Sequence, residues 1–241
     1  MTAQIPKGLR GFLWAALGFA SGPPAFASEE VDCFSAKNNL PDFWKISRMT
    51  INANLTTAQY ALGRVKEEIY NKSNFKSSNK TSLRKNDTLE NERMQAASDH
   101  IDAIRAPRNV FNLKKAIWEG RGHNCGELAS AAKYIAAERG VAACVVRTEV
   151  HGFAVIGDIP PSTELPGNME HWPEHLAVCD PWVNIACEAT SYPQKFIEKM
   201  EKWERDEKII ENPYSQTEDD GWIRPTDPAW TRAVLDGPKP G

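Results

Sequence analysis

His123-Asn124-Cys125-Gly126-Glu127, followed at once by Leu128-Ala129-Ser130-Ala131-Ala132-Lys133-Tyr134-Ile135-Ala136-Ala137, sets one cysteine at the first turn of an apolar helix. Unpaired N–H groups and the positive end of the helix dipole favour an anion there, so a thiol in that place is expected to ionise below the usual value of about 8.5. Asn124 is a good N-cap residue, which leaves the Cys125 N–H free to meet a substrate carbonyl oxygen. Downstream, His151 lies in the β-like run Val150-His151-Gly152-Phe153-Ala154-Val155-Ile156-Gly157, and Asp180 ends a second one, His175-Leu176-Ala177-Val178-Cys179-Asp180, before Pro181 and Trp182. Nucleophile, base and orienting acid occur in that order.

Thiol catalysis needs such a set: an imidazole to take or share the thiol proton, a carboxylate to fix its tautomer, and donors for the developing oxyanion. Two neighbouring strands would bring His151 and Asp180 within hydrogen-bond reach on one face. Pro181 cannot extend a ladder, so Asp180 is expected at a sheet rim. The Cys125 N–H is the first oxyanion donor, and the Asn124 amide is the expected second. His123 and Trp182 are further candidates for contact with substrate, although Trp182 also reads as a wedge packed behind Asp180. Glu127 has two readings: a charge favourable to the helix dipole, or one that opposes the thiolate if it points at Cys125.

Three stretches, Gly122-His123-Asn124-Cys125-Gly126-Glu127, Arg139-Gly140-Val141-Ala142-Ala143-Cys144-Val145-Val146 and Asp180-Pro181-Trp182, resemble the Cys-His-Asp core of transglutaminase-like and papain-fold enzymes. The likeness is to the bacterial toxin and effector branch that includes glutamine deamidases. It implies an α+β fold, with a helical N-terminal part and then a nucleophile helix packed on an antiparallel sheet. It implies Cys125 as nucleophile, His151 as general base and Asp180 as orienting acid. The activity implied is acyl transfer from an amide: deamidation or transamidation of protein glutamine by a secreted effector, or else peptide-bond cleavage by a papain-like protease or cell-wall peptidase. The glutamine that papain-like proteases carry upstream of their cysteine has no counterpart in Trp118-Glu119-Gly120-Arg121-Gly122-His123-Asn124.

Two other classes compete with the enzyme. A zinc module could draw on Cys125, His151, Cys179, Asp180 and His123, but these five residues include no CxxC or HxxxH pair at metal spacing. A catalytically inert interaction domain is the other. No cofactor is called for, and the expected partner is a protein or peptide substrate; the oligomeric state stays open. Among 241 residues, 29 basic against 32 acidic side chains leave a net charge of −3, with no basic face interleaved with aromatics, so nucleic acid is not an expected partner.

Lys7 and Arg10 precede the apolar run 11–20, and Pro23-Pro24-Ala25-Phe26-Ala27 ends in a small-x-small pattern. That reads as a signal peptide, residues 1–27, cut after Ala27, hence a secreted or periplasmic protein. The run is too short to stay as a membrane span. Cys33, Cys144, Cys179 and Cys187 could form up to two bridges in an oxidising space, or could be packed thiols.

The expected organisation after the signal is a helical region over 28–108, a catalytic core over 109–206 and an irregular tail over 207–241. Helical periodicity from Pro41 to about Tyr70 nominates Ile46, Met49, Ile51, Leu55, Tyr60, Leu62, Val65 and Ile69 as buried. The Ser/Asn/Lys-rich stretch Asn71–Lys85 reads as a mobile, solvated connector. Further helices are expected from the Asp87/Glu90 capping box to Arg105, over 109–119, 125–139 and 192–206, with strands over 141–148, 150–157, 175–180 and 183–188. The Pro-rich loop 158–174, with His171 and Trp172, falls between base and acid in sequence and is expected to overhang the site as a lid, or to be a plain surface excursion.

Overall fold

The computed structural model describes residues 43–83, 88–160, 164–215, 221–236 and 239–240. The signal-peptide reading, Cys33 and Asp87 lie outside the described residues. Among the described residues the chain is α+β, with six α-helices and two antiparallel sheets.

The centre of the fold is α4 (Cys125–Glu138), where Leu128, Ala129, Ala131, Ala132, Ile135 and Ala136 are all buried. A helix that is apolar nearly all round must be covered on several sides. It lies on β2 (Ala143–Arg147) and β3 (Gly152–Ile156), with α1 (Phe43–Val65) beside it on β4 (Ala177–Asp180) and β5 (Ile185–Glu188). These strands form an antiparallel sheet in the order β5-β4-β3-β2-β8, whose last member is the short β8 (Lys239–Pro240). Every residue of β3 is buried, so the sheet is covered on both faces. Phe153 of β3 rests on Tyr192 of α5 (Tyr192–Arg205), with ring centroids 4.9 Å apart.

The buried stripe of α1 differs from the one its large apolar residues suggest. Met49 and Tyr60 are exposed, while Asn54, Thr57, Ala58, Ala61 and Val65 face inward. The small residues let α1 approach the alanine-rich α4 closely, and Asn54 donates from Nδ2 to the His175 carbonyl at 2.7 Å. Beyond α1, a π-helical turn (Lys66–Tyr70) leads into the segment expected to be a mobile connector. That segment is instead packed. Ser73, Ser77 and Thr81 are buried, Lys76 bridges to Gly122, and β1 (Lys80–Ser82) pairs with β6 (Lys208–Glu211).

The tail is likewise structured. It supplies β6, then β7 (Trp222–Ile223), α6 (Pro228–Leu235) and β8, and Trp230 and Val234 belong to the same core cluster as Ala58 and Leu128. Asp227 caps α6 by accepting from the N–H groups of Ala229 and Trp230.

The β3–β4 ladder also corrects the lid. Ala154 faces Cys179 and Ile156 faces Ala177, so the chain leaves along β3 and returns along β4. His151 and Asp180 therefore share one end of the sheet, and the loop 158–176 lies at the other, a strand length away. Trp172 is buried there, donating from Nε1 to the Pro166 carbonyl at 2.7 Å, so the loop packs on its own turn.

Candidate active site

The turn that leads into Cys125 is fixed from both sides. A side chain at Gly122 would meet the Ala97 backbone at 2.4 Å, so α2 (Thr88–Arg105) runs directly against the chain ahead of Cys125. Asn124 takes an extended cap conformation, and its N–H donates to Glu127 Oε2 at 3.0 Å. Arg105 grips the same carboxylate with two hydrogen bonds, Nε to Oε1 at 2.7 Å and Nη2 to Oε2 at 3.2 Å. Glu127 thus serves the cap, with its charge matched by a guanidinium. Cys125 itself is half-buried at the first residue of α4.

Extending the ladder one step beyond Ala154 and Cys179 sets Phe153 opposite Asp180, with His151 on the same face and diagonally adjacent. His151 Nε2 donates to Asp180 Oδ2 at 2.6 Å. The carboxylate also accepts from the Tyr192 hydroxyl at 2.7 Å, and its other oxygen accepts from the N–H groups of Trp182 at 3.1 Å and Val183 at 3.4 Å. With no exposure and four donors, Asp180 is a fixed, fully satisfied anion. The Trp182 and Val183 bonds arise because β4 ends at Asp180 and the chain turns through Pro181, with Asn184 in the left-handed region, before β5.

Burial alone would depress the His151 imidazolium, but the Asp180 charge and hydrogen bond, joined by Cys125, push it up to about 10. Nδ1 has no hydrogen-bond partner and is the one ring nitrogen left for Cys125. The ring is held in place by Trp182, centroids 5.3 Å apart, and by Phe153, Phe196 and Trp230 at 6.1–6.3 Å. In the serine-protease triad Nε2 serves the nucleophile and Nδ1–H the acid; here the roles of the two nitrogens are exchanged. Burial and the adjacent Asp180 also hold the Tyr192 phenol well above its ordinary value, so it remains a donor.

Cys125, His151 and Asp180 are brought together; the other three candidates are placed otherwise. His123 is fully buried, with Nε2 at 2.8 Å from the Ile117 carbonyl, and does not line the site. The Asn124 N–H is taken by Glu127, and the side-chain amide is turned toward Ser77 and Ser78, with Nδ2 donating to Ser78 Oγ at 3.0 Å. Trp182 is the wedge: buried against His151 and Trp203, it donates from Nε1 to Ser77 Oγ at 3.0 Å. Among the described residues no three His, Cys, Asp or Glu side chains cluster as a metal would require. Cys179 alternates with Asp180 along β4 and points to the other face, which is why the proposed zinc set does not assemble. Cys179 and Cys187 are buried thiols whose ionisation burial opposes, Cys187 being pushed up to about 12.

The site also contains residues the sequence did not nominate. Ser77 and Ser78 hold Asn124 Oδ1 at 2.8 and 3.1 Å, so the supposed connector forms a wall of the site. Lys80 donates to the Trp182 carbonyl at 2.6 Å. Beside the α4 start lies an open groove of about 660 Å³, lined by Arg147, Thr148, Glu149, Ala229, Arg232, Ala233 and Asp236. Arg147 Nη1 lies 3.8 Å from where a Gly126 side chain would begin, and Thr148 and Glu149 belong to the tight turn that carries His151. No sequence pattern marks this groove, because α6 reaches it from the far end of the chain.

No helix of the described residues is long and apolar enough to cross a membrane. The chain matches no protein-family model, no curated protein and no solved structure.

Proposed function

We propose that the protein is a thiol-dependent amide hydrolase or acyl transferase with a Cys125–His151–Asp180 triad on a papain- or transglutaminase-like arrangement of helix and sheet. The observation that carries the reading is the buried His151, tied through Nε2 to a fully satisfied Asp180 and left with an unpartnered Nδ1 for a cysteine at a helix start. In the reaction Cys125 Sγ attacks the amide carbonyl carbon. The oxyanion forms beside the Cys125 N–H, which has no partner within the helix. The C–N bond breaks as His151 gives its proton to the departing ammonia or amine, leaving a thioester on Sγ. Water, or an amine in transamidation, then attacks the thioester, His151 takes its proton, and the thiolate is released.

The groove beside Gly126 is open at the surface, which suits a segment of a protein or peptide chain better than an enclosed small molecule. With the resemblance carried by the Cys125 turn, the stretch from Arg139 to Val146 and Asp180-Pro181-Trp182, this favours a protein glutamine side chain as the acyl donor, in a secreted effector or toxin. Mass spectrometry of candidate protein substrates tests it. A gain of about one mass unit on glutamine marks replacement of NH₂ by OH, and a new chain terminus marks proteolysis instead. Cys125→Ala should abolish either product while leaving the fold intact, because the change removes a half-buried thiol and little core volume. Substantial turnover in that variant would remove Cys125 from the nucleophile role.

A further inference from the structure

Lys80 lies in a Ser/Asn-rich stretch of ordinary appearance, yet its ammonium sits in an aromatic cage. Nζ is 4.6 Å from the ring centroid of Trp182, 4.7 Å from Trp203 and 5.6 Å from Tyr70. An ammonium carries three N–H donors. One goes to the Trp182 carbonyl at 2.6 Å, and no other acceptor meets it among the described residues. The ladder of the smaller sheet brings a second lysine beside it. Lys80 faces Ile210 and Ser82 faces Lys208, so Lys80 and Lys208 are diagonal neighbours on one face of the β1–β6 pair, about 7–8 Å apart at the backbone. The Lys208 Nζ lies 4.7 Å from the centroid of the same Trp203 ring. Lys199 precedes Trp203 by one turn of α5 and so adjoins it on the helix surface.

Half-buried charges are normally paired, and these three are not. Among the described residues none of Lys80, Lys199 and Lys208 forms an ion pair. The carboxylates within electrostatic reach are committed elsewhere, Asp206 to Lys202 at 2.7 Å and Asp180 to His151 and Tyr192. Burial lowers the pKa of each ammonium, and like charges add to it: Lys208 and Lys199 at Lys80, Lys199 and Lys202 at Lys208, Lys202 and Lys66 at Lys199. In a chain of net charge −3, this local excess of positive charge calls for an anion that the chain does not supply.

We propose that Lys80, Lys199 and Lys208, gathered around Trp203, form a binding site for the phosphate groups of a small polyvalent anion, inorganic phosphate or a short polyphosphate. Ammoniums are point charges without the planar fork that selects a carboxylate, and a tetrahedral, multiply charged anion offers an oxygen to each. Trp182 and Trp203 are buried, so neither ring is open for a base to stack on, which argues against a nucleic-acid strand. Lys199 and Lys208 are half-buried and leave the site reachable from solvent. No sequence pattern marks it, because residues 80, 199 and 208 meet only where α5 covers the β1–β6 ladder. The site is independent of any reaction at Cys125.

Thermal unfolding of the full chain in millimolar sodium tripolyphosphate tests it, with sodium chloride of equal ionic strength as the reference and inorganic phosphate as a parallel series. At about tenfold above its dissociation constant, a ligand bound to the folded chain should raise Tm by about 3–6 °C in a protein of this size. The rise should saturate with concentration and should be lost in the Lys199→Gln/Lys208→Gln double variant, which removes two half-exposed charges and little core. A rise with tripolyphosphate alone supports the site and assigns it a chain of phosphates; a rise with both assigns it a single group. Equal Tm in tripolyphosphate and chloride overturns the proposal, as does an equal rise in wild type and the double variant, which would mark general salt stabilisation. If the double variant does not fold, the wild-type chain decides alone. The Lys80, Lys199 and Lys208 Cε signals should then move together in NMR on adding tripolyphosphate while that of the exposed Lys114 stays in place, and three unmoved signals overturn the proposal.

Discussion

At the scale of single residues, the decisive detail is which nitrogen of His151 meets which partner. Asp180 Oδ2 accepts from both His151 and Tyr192 while Oδ1 accepts from two backbone N–H groups, so each oxygen is committed. In Asp180→Asn the side chain keeps its shape, and the backbone donors of Trp182 and Val183 hold the amide oxygen where Oδ1 was. The NH₂ group then faces His151 and Tyr192, which forces Nε2 to accept and moves the ring proton to Nδ1. The neutral histidine then has no lone pair at Nδ1 with which to take the thiol proton, and it loses the charge that sustains its imidazolium. In serine proteases the equivalent change lowers turnover by about 10⁴. A thiolate supported by a helix start depends less on its base, so a loss of about 10–10³ in kcat is expected, with a much smaller loss of thermal stability. Wild-type kcat and pH dependence in this variant would reduce Asp180 to a turn residue before Pro181.

At the scale of elements, what was legible from the sequence is what local pattern controls. The helix that begins at Cys125, four strands of the larger sheet and α5 fall within two residues of their expected bounds, and the sharpest are apolar runs closed by a strong breaker: Gly140 after α4, Gly157 after β3, Pro181 after β4. The Cys125, His151 and Asp180 positions followed from those bounds. What escaped was everything set by strand direction or by long-range contact. A loop between base and acid in sequence suggests a lid, but antiparallel pairing carries it to the far end of the sheet. His171→Ala, exposed in that loop, should therefore leave kcat and KM unchanged; a rise in KM would restore the lid. Polar stretches were misread for the opposite reason: Asn71–Lys85 has no apolar period, yet Ser77 and Ser78 are ordered by the Asn124 side chain. Asn124→Ala removes three hydrogen bonds at the α4 start. It should cost about 1–2 kcal/mol in denaturant unfolding, and it should raise the hydrogen-exchange rate of the 73–79 segment well above that of α4. A uniform increase across both would mean that the segment does not depend on this contact.

For the molecule as a whole, one core cluster runs from α1 through α4 and the larger sheet to α6, and two cations with opposite shifts lie outside that cluster, the buried His151 and the half-buried Lys80. The His151 imidazolium is raised in the folded chain from 6.5 to about 10. The folded state therefore binds more protons than the unfolded one between those values, and the stability this gives is complete below pH 6.5 and lost as pH rises through 10. The Lys80 ammonium is depressed from 10.5 to about 7. Over that window the unfolded chain binds more protons, so the contribution from Lys80 rises with pH and is lost as pH falls through 7. The two slopes oppose each other across nearly the same range. Urea unfolding of the wild-type chain should accordingly vary little between about pH 7 and 8, below the range where the thiols of the unfolded chain ionise and the buried Cys179 and Cys187 do not. Lys80→Met removes one slope and leaves the other, so its stability should fall steadily from pH 7 to 10 relative to wild type. His151→Gln should do the reverse and gain relative stability with rising pH. Parallel pH profiles for all three chains would mean that neither cation is perturbed by folding, and that the aromatic cage and the Asp180 pair do not hold the charges the geometry assigns to them.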